Sequence, residues 1–204
     1  MPGVLNPRTP EDIWERKMRQ GGGGMAPGEV PVLGLLGVPR RRWLRGGAAR
    51  RMAWDMVEFR SFMDVALEEA RAAGLRGEVP VGACVAGPGG VVARAGNRTR
   101  ELRDPTAHAE MLAIRAACAA LGVERLTGYD LHVTLEPCAM CAAAISAARL
   151  ARLYYGAADP KSGGVSVGAR VFSHAQCHHA PEVYDGIAAG EAEALLRAFF
   201  AGRR

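Results

Sequence analysis

Residues 78–97 read EVPVGACVAGPGGVVARAGN, and this stretch sets the fold. EVPVGACVA (78–86) has the composition of a strand, GPGG (87–90) that of a turn, and VVARAGN (91–97) that of a strand returning beside the first. The segments on either side are helical. Upstream, Phe59, Phe62, Met63, Ala66, Leu67 and Ala70 mark one helix face, with Asp64, Glu68, Glu69 and Arg71 mostly opposite, and Gly74 is the expected stop. Downstream, a loop leads to a helix at about 108–121, whose apolar side is read as Met111, Ile114, Cys118 and Leu121. A strand near 130–135, a helix over 138–148 and a short strand at 152–156 follow. Residues 157–186 read as loop, and 191–200 as a closing helix. A hairpin followed by alternating helices and strands predicts one α/β domain, a mixed sheet with helices on both faces.

At 204 residues the chain holds one good-sized domain, or one domain plus tails. It contains no run of 18 apolar residues, so no membrane span is expected, and VPVLGLLGV (30–38) lacks the flanks of a secretory signal. Five cysteines without such a signal favour a cytoplasmic, reducing compartment. The net charge of +5 is uneven: residues 1–55 carry 10 Lys+Arg against 5 Asp+Glu, and residues 56–204 carry 16 of each. Global charge is therefore no argument for a nucleic-acid partner. The front also holds 10 Gly and 6 Pro, including GGGG at 21–24. Such a composition predicts a disordered Gly/Pro/Arg-rich extension over 1–55. The alternatives are a basic RNA-binding arm, or a translation start at Met52 or Met56.

The chemistry concentrates in two places. TLEPCAMC (134–141) puts Cys138 and Cys141 three residues apart at a helix start, where unpaired N–H groups favour thiolates and Pro137 suits the entry. Taken alone, this pair reads as a zinc pair, a redox dithiol or an incidental pair. A thioredoxin-like dithiol belongs after a strand near the chain's beginning, whereas this one comes late. Structural zinc wants a second ligand pair; Cys177, His178 and His179 lie in a loop-rich region and do not form one. His108 supplies a third ligand, and three N/S ligands with one open position are the catalytic form of a zinc site. Glu110, two residues on, is then the proton shuttle for a zinc-activated water. Separately, a cap or core histidine and an ordinary first-turn acid would explain His108 and Glu110.

HAE (108–110) with PCAMC (137–141) resembles the H-x-E…P-C-x-x-C signature of the zinc nucleobase and nucleoside deaminases. The resemblance implies a three-layer α/β/α cytidine-deaminase-like fold. It also implies one Zn2+ per subunit held by His108, Cys138 and Cys141, with hydrolytic release of ammonia assisted by Glu110. Among the branches, the chain is most similar to the bacterial tRNA-specific adenosine deaminases. The matching pieces are EVPVGA (78–83), GN (96–97), DPTAHAEM (104–111), VTLEPCAMCAAA (133–144), GAADPKSG (156–163), VYDGI (183–187) and LLRAFFAGRR (195–204). These cover residues 58–204 and none of 1–55, so 56–204 is the expected deaminase domain.

That branch implies conversion of adenosine to inosine at the wobble position of a tRNA anticodon loop, whose single-stranded base is cheaply splayed into a pocket. It implies base binding by Asn97, RNA contacts by Asp159, Lys161, Arg203 and Arg204, and a homodimer. Phe199, beside Leu195 and Leu196 at helical spacing, reads as core. Residues 165–182 depart from the family pattern, which bears on RNA specificity and not on chemistry. The competing functions are a free guanine, cytosine or nucleotide deaminase, and a non-catalytic zinc-stabilised RNA-binding subunit, for which Glu110 has no use.

Overall fold

A computed structural model describes residues 61–202. Residues 1–55, with the expected disorder and the alternative starts, lie outside the described residues, as do Phe59, Arg203 and Arg204. In chain order the elements are α1 (Met63–Leu75), β1 (Gly82–Gly87), β2 (Gly90–Gly96), α2 (Ala109–Leu121), β3 (Asp130–Leu135), α3 (Ala139–Ala147), β4 (Arg152–Ala157), β5 (Glu182–Tyr184) and α4 (Ala189–Ala201). The strands form one sheet ordered β2-β1-β3-β4-β5. β1 is antiparallel to β2 and β3, whereas β3–β4 and β4–β5 are parallel. The α/β architecture with a mixed sheet is as the sequence predicts.

Period-two alternation sorts the strand residues between two helical layers. Ala83, Val85, Leu131, Val133, Leu153 and Tyr155 join the main core with Ala109, Ala113, Ile114, Ala117 and Ile145 of α2 and α3. Met63, Ala66 and Leu67 of α1 form a second cluster with Ala192 of α4, joined by Ala157 at the end of β4. Gly82 lets α1 lie directly on the sheet: a Cβ there would sit 2.1 Å from the Ala66 carbonyl oxygen.

Several local readings shift. Gly74 falls inside the last turn of α1, and the left-handed residue after the helix is Gly77 (φ 82°). The buried stripe of α2 is Ala109, Ala113 and Ala117 with Ile114, while Leu121 is 37% exposed. Alanines four apart bring the helix closer to the sheet than the larger residues on its flank would allow. β1 begins at Gly82, and Val79 and Val81 before it serve as pocket walls. β5 pairs with β4 inside the stretch read as loop. Phe199 is only partly buried, outside both core clusters, and packs edge-on against Phe200.

His132 is a buried histidine in β3, stacked on Tyr154 at 4.6 Å and met edge-on by Phe62. Its Nδ1 has no hydrogen-bond partner among the described residues. Burial pulls its pKa down to about 4, against the opposing pull of Asp64. An unfolded histidine titrates near 6.5, so between these values the unfolded chain binds more protons. Stability therefore falls as pH drops from about 6.5 to 4, by on the order of 3 kcal/mol from this group. Denaturant titrations at pH 7 and pH 5 should show about 2 kcal/mol of this loss, and His132→Phe should flatten it.

Candidate metal centre

Two helix starts meet here. His108 is the N-cap of α2 and Cys138 the N-cap of α3, both with extended backbone, and Cys141 lies one turn into α3. Residues two apart within a helix point apart, but His108 is extended and not yet on the helix, so it and Glu110 line the same pocket. His108 Nδ1 lies 3.7 Å from Cys138 Sγ and 3.5 Å from Cys141 Sγ. Among the described residues these three form a cluster whose ligand atoms all lie within 4.8 Å of one another.

The donor set passes a geometric test for zinc. With zinc–sulfur and zinc–nitrogen bonds of about 2.3 and 2.0–2.1 Å, a tetrahedral N···S edge is about 3.6 Å long. Both observed separations lie within about 0.1 Å of it. The electrostatics agree. Hydrogen bonds from Cys141 and His108 pull the Cys138 thiol down to about 3, and the same shared hydrogen bond, with burial, pushes Cys141 up. One negative charge is thus already stabilised between the two sulfurs, at a helix N-terminus that favours it.

Glu110, in the first turn of α2, is 4% exposed. Burial pushes its carboxyl up, against the opposing pull of His108. It lines a cavity of about 250 Å³ with His108, Cys138, Asn97 and Asp159, walled by Val79, Val81 and Leu135. Drug-sized ligand pockets run roughly 300–1,000 Å³; this smaller one suits a single extruded base.

The structure separates the remaining expected residues. Asn97 reaches the pocket and is 6% exposed. Asp159 lines it too, but its Oδ1 accepts the Lys161 and Ser162 N–H groups, so it shapes its own turn. Lys161 is exposed between the pocket-lining Asp159 and Ser162. Cys177, His178 and His179 lie at the far end of α3: Cys177 Sγ meets Ser146 Oγ at 3.4 Å and the His179 ring meets the Leu150 carbonyl at 2.6 Å.

Sequence reasoning missed two buried carboxylates. Glu136 accepts the backbone N–H groups of Asp159, Val165, Ser166 and Val167 and so gathers the 159–167 loop at the pocket. Glu78 gathers the segment after β2 likewise, accepting the backbone N–H groups of Arg100 and Glu101 and the side chains of Asn97 and Thr99. The available signal is an acid inside an apolar context, in EVPVG and in TLEPC.

The family pattern described as cytidine and deoxycytidylate deaminase zinc-binding region matches residues 56–157. The tRNA-specific adenosine deaminase of Agrobacterium fabrum is 62% identical over 149 residues, 73% of this chain and 98% of that one. This chain belongs to the tRNA-specific adenosine deaminase family. A second tRNA-specific adenosine deaminase, from Rickettsia bellii, is 44% identical over 140 residues, 68% of this chain and 97% of its own. A solved structure from work on A-to-I editing by tRNA:A34 deaminases at the wobble position of transfer RNA superimposes with a TM-score of 0.65. It is 64% identical, covering 66% of this chain and 98% of that one. The deaminase is accordingly a zinc-dependent enzyme of cytidine-deaminase-like fold, with a centre that fits one Zn2+ per subunit.

Proposed function

We propose that this enzyme converts adenosine to inosine at the wobble position of a tRNA anticodon loop, with residues 56–204 as its catalytic domain. The observation that carries the reading is the base-sized pocket lined by Asn97 and Glu110 together with His108 and Cys138, two of the three clustered metal-capable donors. It stands in a chain 62% identical to a tRNA-specific adenosine deaminase over nearly that protein's full length.

His108, Cys138 and Cys141 would hold the zinc, which when bound would supply a Lewis acid that lowers the pKa of water to about 7. Glu110 takes a proton from the attacking water and delivers it to the departing amino nitrogen through one carboxyl oxygen. Its buried position keeps competing water away from that transfer. Asn97 fixes the base edge, and Val79, Val81 and Leu135 close on its faces. Asp159 holds the turn that presents Lys161 to RNA phosphate, and Arg203 and Arg204 supply further positive charge for phosphate.

A free-base deaminase has no use for Lys161 or the last residues. Lys161→Ala combined with deletion of 201–204 should raise KM for an anticodon stem-loop roughly tenfold while leaving zinc content unchanged. Unchanged KM would move the substrate to a free base or nucleotide.

A cytoplasmic location fits five cysteines that are all free. A homodimer fits α3, which carries no charged residue and exposes Ala139, Ala143 and Ala147. Light scattering of the wild type and Ala143→Glu tests it; a monomeric wild type removes the assembly from the account.

A further inference from the structure

Glu78 is 1% exposed, just before β1, and four donors converge on it. Its Oε1 accepts the Arg100 and Glu101 backbone N–H groups at 2.9 Å each. Its Oε2 accepts Asn97 Nδ2 at 3.2 Å and Thr99 Oγ1 at 3.3 Å. Asn97 Nδ2 lies also 3.2 Å from Thr99 Oγ1. With both oxygens only accepting, the direction of every bond in this ring is fixed. Thr99 gives its proton to Glu78, and the Asn97 NH2 donates toward the Glu78 and Thr99 oxygens, which lie side by side. The amide NH2 is thereby turned toward the ring and Oδ1 away from it. The remaining polar atom of the side chain is Oδ1, in a residue that lines the pocket.

We propose that Glu78 is a positioning residue that fixes the Asn97 amide one way round, so that its carbonyl oxygen faces the bound base as an acceptor. The matching donor is the exocyclic amino group, which a base must carry to undergo this reaction. The inference rests on the deaminase reading above. It adds to it the polarity of the contact and the residue that sets it. An Asn amide left to itself turns over at little cost and offers a donor as readily as an acceptor; Glu78 removes that choice.

A reciprocal exchange tests the polarity. Glu78→Gln keeps one oxygen for the Arg100 and Glu101 N–H groups but turns an NH2 toward Asn97. The Asn97 amide must then rotate and present its own NH2 to the base. Asn97→Asp keeps an oxygen toward the base but sets a carboxylate against Glu78. In the double variant the introduced glutamine donates its NH2 to one oxygen of the introduced aspartate. The other aspartate oxygen then faces the base, as the Asn97 carbonyl does in the wild type. Each single variant should lose roughly 10- to 100-fold in kcat/KM on a wobble-adenosine stem-loop, with zinc content retained. The double variant should recover to within about tenfold of the wild type, a non-additivity that a loss of folding would not produce. Losses that multiply in the double variant, or a Glu78→Gln enzyme equal to wild type, overturn the inference. A silent wild type overturns the substrate reading, and this inference with it.

Should Glu78→Gln fail to fold, Asn97→Asp against Asn97→Ala decides. The aspartate variant should melt below the alanine variant because its carboxylate faces Glu78. The opposite order contradicts the arrangement.

Discussion

Glu110→Gln should lower deamination by roughly 10³-fold or more, toward the upper end of what a positioned acid–base group contributes, while zinc content and melting temperature hold. Gln fills the same space and keeps the polar contacts, so the fold loses nothing. Burial already disfavours the charged form of Glu110, and replacing it by a neutral amide therefore carries no stability cost. What disappears is a group that both accepts and returns a proton. A residue buried for packing alone would show the reverse pattern, with little change in rate. Single-turnover kinetics on a stem-loop, with zinc assayed on the same sample, separates the two.

Removing the metal should abolish activity and reveal how far the centre is organised without it. His108 and the two sulfurs already make a hydrogen-bonded triad around one shared negative charge. The stripped protein should thus stay folded and regain full activity with added zinc. Binding to the folded state alone stabilises by about 2.7 kcal/mol at 100 times Kd and about 4.1 kcal/mol at 1,000 times. For a chain of this size that is a fall in melting temperature of roughly 5–16 °C on stripping. Cys138→Ala should behave differently, losing zinc, activity and the shared charge together, with no rescue by added metal. Calorimetry before and after chelation, with and without zinc, gives both numbers. Full activity in the stripped protein would contradict the centre outright.

The parts of this molecule visible in the sequence are those coded locally. His108 with Glu110, and Pro137 with Cys138 and Cys141, are short spacings whose chemistry travels with them. The hairpin at 82–96 announces itself through its turn. What stays hidden depends on partners distant in the chain. β5 is three residues long and is a strand only because β4 lies beside it. The stripe Ala109, Ala113 and Ala117 looks weaker by hydrophobicity than Met111 and Leu121, yet close approach to the sheet makes it the buried one. Glu78 and Glu136 read as ordinary acids until residues about 20 to 30 positions away bring N–H groups to them. The pairing of Glu110 with His108 is visible as a spacing, but what lets residues two apart share one pocket is the non-helical backbone of His108, which spacing alone does not show.

The proposed zinc centre at His108, Cys138 and Cys141, served by Glu110, would deaminate a wobble adenosine. The most direct test incubates the zinc-loaded full-length chain with an anticodon stem-loop carrying adenosine at that position. Free guanine, cytosine and adenosine run in parallel, and products are read by nuclease digestion and mass spectrometry. Inosine is expected from the stem-loop, with the rate lower by roughly 10³-fold or more for Glu110→Gln, and no conversion of the free compounds. A deaminated free base beside an untouched stem-loop would contradict this expectation.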